Sequence, residues 1–153
     1  MSNLKVTYMQ KDIMQSWFFQ QSPSEVWDYL TKPALIEQWL MKSDFKPVVG
    51  HKFQFTFPPK KESEYRGVLD CEVLQAKPFT KLSYSWNGGT TDQSRNFNSV
   101  VEWTLVPKDN GTELHLKHNG FTFLEDMINH NNGWSGCGKR LEEAIKTADH
   151  ANA

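Results

Sequence analysis

The stretch NNGWSGCGKRLEEAIKTA, residues 131–148, decides how the rest of the chain is read. Its apolar positions Trp134, Cys137, Leu141, Ala144, Ile145 and Ala148 recur three or four apart, while Lys139, Glu142, Glu143 and Lys146 take the opposite side. That spacing predicts a helix with one apolar stripe, which has to be buried against another layer. Such a helix is about 25 Å long, enough to cross a sheet. Gly133, Gly136 and Gly138 interrupt it, each at a cost of about 1 kcal/mol relative to Ala in a helix interior. They permit either tight helix–sheet packing or the close approach of a ligand or of the preceding loop, residues 121–127. In that loop Glu125 and Asp126 read as solvated charges, placed where they would flank a cavity mouth.

The layer beneath the helix is supplied by the middle of the chain, where the period changes to two. Phe53, Phe55 and Phe57 alternate with Lys52, Gln54 and Thr56, and Pro58-Pro59-Lys60-Lys61 makes the turn. Residues 65–75 follow, with Leu69, Cys71 and Val73 on one side and Asp70 and Glu72 on the other. Leu82, Tyr84 and Trp86 alternate with Lys81, Ser83 and Ser85, and Asn87-Gly88-Gly89 ends that strand. Val101, Trp103 and Leu105 lead to Asp109-Asn110-Gly111, a hairpin signal because these residues accept positive φ. The return strand sets Leu114, Leu116 and His118 against Glu113, His115 and Lys117. Short connections of this kind give an antiparallel meander with one covered and one wet face.

Upstream, residues 12–21 read as a further strand, with Ile13, Trp17 and Phe19 on one face and Met14 and Phe18 on the other. Ser22-Pro23-Ser24-Glu25 is a capping box with proline at the first helical position. A short helix through Val26, Trp27 and Leu30 is interrupted at Thr31-Lys32-Pro33, and a second carries Leu35, Ile36 and Trp39. The expected fold is therefore α+β: a curved six-stranded antiparallel sheet, two short helices after its first strand, and a long C-terminal helix. We read residues 1–153 as one domain with its core over 12–148. Residues 1–10 are compatible with an extra strand or a tail.

Composition narrows the function classes. Seventeen Lys and Arg against eighteen Asp and Glu give a net charge of -1, with no basic stripe of the kind that displaces counterions from nucleic acid. No run reaches the length of a signal peptide or membrane span, so a cytoplasmic protein is expected. Cys71 and Cys137 read as buried free thiols. Aromatic residues make up 13% of the chain although only 38% is hydrophobic, so the apolar side chains are few and large. Both a lined hollow and an aromatic-packed core follow from that pattern.

Seven short segments together resemble a known family: Ser22-Pro23-Ser24-Glu25-Val26-Trp27, Thr31-Lys32-Pro33 with Trp39-Leu40, Val49-Gly50-His51-Lys52-Phe53, Leu82-Ser83-Tyr84-Ser85-Trp86, Gly111-Thr112-Glu113-Leu114, His118-Asn119-Gly120 and Gly133-Trp134. In this order they resemble the bacterial homologues of the activator of the heat-shock protein 90 ATPase, within the START-like, birch-pollen-allergen-like superfamily. His51 departs from the pattern, where the family often has a second glycine. The resemblance implies a helix-grip fold and an apolar small molecule, such as a lipid, flavonoid or polyketide, held between sheet and long helix.

The residues expected to line that space are Trp17, Trp39, Phe53, Phe55, Val73, Tyr84 and Trp86, together with Trp103, Leu114, Leu116, His118, Trp134 and Leu141. Tyr84 and His118 offer polar tips on apolar faces and are the expected anchors. His51, His115, His118, His130 and His150 lack metal-ligand spacing, no nucleophile motif occurs, and no cofactor is expected. A cavity enzyme of cyclase-like or hydrolytic type would draw on His118 or Tyr84 for proton transfer. A co-chaperone role is suggested by the family name alone. The expected state is a monomer or weak homodimer.

Overall fold

A computed structural model describes residues 12–57 and 64–152, with side chains as far as residue 148. Residues 1–10, the Pro58-Pro59-Lys60-Lys61 turn and the His150 side chain lie outside the described residues. The elements run β1 (Ile13–Phe19), α1 (Pro23–Thr31), α2 (Pro33–Trp39), β2 (Lys42–Ser43), β3 (Lys52–Thr56), β4 (Val68–Lys77), β5 (Lys81–Gly89), β6 (Asn96–Lys108), β7 (Gly111–Asn119) and α3 (Leu124–Asn152). The strands form one antiparallel sheet in the order β1-β7-β6-β5-β4-β3-β2. This is the helix-grip arrangement: a curled sheet with a long C-terminal helix across its concave face.

Local chemistry accounts for the joints. The Ser22 hydroxyl accepts from the Glu25 amide at 3.3 Å, and the Glu25 carboxylate returns to that same hydroxyl at 3.2 Å. Pro33 opens α2 as Pro23 opens α1. Asp109 and Asn110 both adopt positive φ, 50° and 64°, closing the β6–β7 hairpin with Lys108 opposite Gly111. This doubly left-handed turn matches the strands' own twist. A register shift between Val73 and Gln75 in β4 adds bend to the sheet.

Three expectations need correction. The sheet has seven strands instead of six, because Lys42 and Ser43 pair with Thr56 and Phe55. Two residues are too few to show a period. β5 runs past Trp86 to end at Gly89, because Asn87, Gly88 and Gly89 are themselves paired, with Asn98, Phe97 and Asn96. Finally, α3 begins at Leu124, seven residues before the expected start. Glu125 and Asp126 lie in its first turn, where acidic side chains suit the positive end of the helix dipole. Asp126 is fully buried, not solvated.

Candidate functional site

The two halves of α3 meet the sheet differently. Over β1, β6 and β7 the contact is solid. Trp103 is 1% exposed and sits among Trp39, Trp134 and Trp17, with ring centroids at 5.8, 5.5 and 6.2 Å. Its indole N–H donates to the Tyr84 hydroxyl at 3.0 Å. Tyr84 in turn is ringed by Phe45, Phe53 and Phe55, and burial pushes its hydroxyl far above the usual tyrosine range. At Gly138 the helix backbone lies against the Trp17 indole so closely that a Cβ there would overlap the ring. That contact is the packing reason for one of the helix-weakening glycines.

Toward its N-terminus α3 stands off from the sheet and leaves a cavity of about 210 Å3. Leu69, Trp86, Phe97, Trp134 and Cys137 form its buried walls. Leu40, Met41, Phe57 and Tyr65 are partly buried around it, while Arg66, Asn129 and Gly133 are exposed at the rim. The lining is almost wholly apolar, with His130 set into one wall. Burial raises the Cys137 thiol pKa despite the opposing Arg140 guanidinium, whose Nη2 lies 3.2 Å from Sγ.

A chain of hydrogen bonds runs between these halves. Trp134 Nε1 donates to His118 Nδ1 at 2.9 Å, so that nitrogen carries no proton. His118 Nε2 therefore donates to Ser99 Oγ at 2.8 Å, and Ser99 passes its own proton to the Trp86 carbonyl at 2.7 Å. On the cavity side, Trp86 Nε1 donates to His130 Nε2 at 3.2 Å, and His130 Nδ1 donates to the Asp126 carbonyl at 2.8 Å. Both imidazoles are thus neutral with every ring nitrogen engaged. Burial lowers the pKa of each, and for His118 the nearby His130 adds to the effect.

Beyond the cavity's far end an ionic cluster holds the first turns of α3. Arg95 reaches Glu64 at 3.0 Å, Asp126 at 3.1 Å and Glu125 at 3.4 Å. Tyr65 donates its hydroxyl to Asp126 Oδ1 at 2.6 Å and accepts from the Asn129 amide at 2.9 Å. The hydrogen bonds that Arg95 donates to Glu64, Tyr65 and Asp126 raise its pKa further, so it is charged throughout the working range.

Residues 20–146 match the family described as Activator of Hsp90 ATPase homolog 1-like protein. The chain belongs to this family. Among solved structures it is similar to protein MLL2253 from Mesorhizobium loti, with 36% identity over 90% of this chain and 98% of that one, at a TM-score of 0.79. The AHSA1 protein from Silicibacter pomeroyi is 17% identical over 90% and 99%, at a TM-score of 0.76. DynU16, a putative protein in the dynemicin biosynthetic locus, is 18% identical over 90% of this chain and 48% of its own, at 0.73. The last two likenesses show the fold alone. No curated protein matches the chain.

In this member of the Hsp90-activator-homologue family, two of the thirteen expected lining residues, Trp86 and Trp134, border the cavity. Trp39, Phe53, Phe55, Val73, Tyr84 and Trp103 are buried in the core outside its lining, as are Leu114, Leu116, His118 and Leu141. Trp17 packs against that core, partly exposed. Sequence reasoning missed Tyr65, Phe97, Asn129 and His130 as cavity residues. A signal for His130 was present: Asp126, His130, Trp134 and Cys137 follow one another at four, four and three residues, which continues the apolar stripe of α3 backward.

Proposed function

We propose that this protein is a carrier or sensor that holds an apolar small molecule in the cavity between β4–β6 and the first half of α3. The observation that carries this reading is the hollow itself, about 210 Å3 with apolar walls. Its neighbour beneath the second half of the same helix is filled by side chains. Interiors are ordinarily packed to crystal density, so an apolar void beside a solid core is an exception that a guest would explain. DynU16's place in a biosynthetic locus and the shared fold lend support by analogy.

The enzymatic alternative would need a free base. Both ring nitrogens of His118 and of His130 are already engaged, which favours holding a guest over transforming one. No helix among the described residues is long and apolar enough to cross a membrane. Two unbridged cysteines suit a cytoplasmic setting.

Trp86 and Trp134 flank the space, so their fluorescence reports occupancy. Titration with a panel of apolar and aromatic compounds should give a saturable change with at least one class. Gly133→Leu, which places a side chain at the rim where a Cβ meets nothing within 4 Å, should abolish the change without unfolding the protein. A panel without any saturable response would remove the reading.

A further inference from the structure

We infer that the cavity selects a neutral guest built on one aromatic ring, and rejects carboxylates and long acyl chains. The inference rests on the binding function proposed above and names the ligand class for that same site. Three observations carry it.

The first is size. An apolar cavity of about 150 Å3 takes benzene. At about 210 Å3 this one has room for a single ring with a short substituent, and a long chain would have to leave its tail in water.

The second is the state of the polar groups around the walls. The indole N–H of Trp86 is given to His130 and that of Trp134 to His118. The Tyr65 hydroxyl donates to Asp126 and accepts from Asn129. His130 spends its remaining proton on the Asp126 carbonyl. Apart from the weak Cys137 S–H, a guest carboxylate would meet no buried donor in the lining to receive it, and an unpaired buried charge costs several kcal/mol. A neutral ring asks for no such partner and meets the edges and faces of Trp86, Phe97, Tyr65 and His130.

The third is the surrounding charge. Glu64, Glu125 and Asp126 outnumber Arg95 at the end of the cavity, so the local field there is negative. Arg66 is the cation at the rim, but it also lines a polar cleft with Asp70, Asn87, Asn96 and Asn98. An exposed guanidinium in such a setting is hydrated and adds little to the affinity of a buried anion.

The test compares two probes of nearly equal shape, 4-methylacetophenone and 4-methylbenzoate, with decanoate as a chain-bearing anion. Binding is followed by calorimetry at neutral pH. The ketone should bind about tenfold or more tightly than either acid. The Gly133→Leu variant should lose the ketone while keeping its cooperative thermal transition, which localises the event to this cavity. Equal or tighter binding of 4-methylbenzoate or decanoate overturns the neutral-guest inference and leaves the binding function standing. If no probe binds, this inference fails; the binding function falls only with the silent panel described above.

Discussion

One helix, α3, covers two very different floors. From Gly138 onward it presses on a block of indole and phenol rings in which Trp103 is inaccessible and Gly138 touches Trp17. From Leu124 to Trp134 it is propped away from β4–β6 by an ionic cluster at one end and a histidine–tryptophan relay at the other. The contrast shows that the hollow is not general looseness. It is held open beside a region of close packing, and its margins are hydrogen-bonded.

The sharpest way to break that contrast is to hollow the solid half. Trp103→Ala should lower the unfolding free energy by about 4 kcal/mol, read from urea denaturation, because a large buried side chain is removed and its neighbours cannot collapse fully. Next comes overfilling it. Gly138→Ala should cost about 2 kcal/mol in spite of alanine's better helix propensity, since the new methyl meets the Trp17 ring.

A smaller effect tests the relay between the halves. The folded-state pKa values of His118 and His130 lie below the ordinary 6.5, so the unfolded chain binds more protons as the medium becomes acidic. Stability is therefore complete above pH 6.5 and falls below it, by at most about 1.4 kcal/mol per pH unit per histidine. A His118→Asn variant should show a shallower slope over the same window. The smallest change has the opposite sign. Gly133→Ala, at the exposed rim of the cavity, meets nothing within 4 Å and should raise stability by roughly 0.5–1 kcal/mol. If Gly133→Ala and Gly138→Ala destabilised alike, the division of α3 into two regimes would be wrong.

The fold was largely legible because its signals are local. The capping box at Ser22, the alternation in β3 to β7 and the Asp109-Asn110 turn each lie within a few residues. β2 escaped notice because a two-residue strand has no period. The start of α3 was hidden by His130-Asn131-Asn132-Gly133, a run of weak helix formers that resembles a beginning although it lies in the interior. The candidate site was less legible for a physical reason. Alternation tells which residues face inward, as it did for Phe53, Tyr84 and Leu116, but not how far the facing layer stands from them. That distance is set by contacts remote in sequence, such as Arg95 with Asp126, which no local pattern reveals. Trp86 and Trp134 were found because they lie on the right faces. Tyr65 and Phe97 were missed because they lie beyond the expected strand ends or at the very edge of them.

The sequence of donors from Trp134 through His118 and Ser99 to the Trp86 carbonyl has one permitted direction, since the indole can only give, the carbonyl can only receive, and His118 and Ser99 each do both once. Sliding α3 by a residue along the sheet would strand the Trp134 indole N–H and His118 Nδ1 in hydrocarbon surroundings, and the same holds for rotating it by a third of a turn. The relay therefore acts as a keyway that fixes the helix axially, and the indole protons within it should exchange into heavy water only when the whole grip lets go.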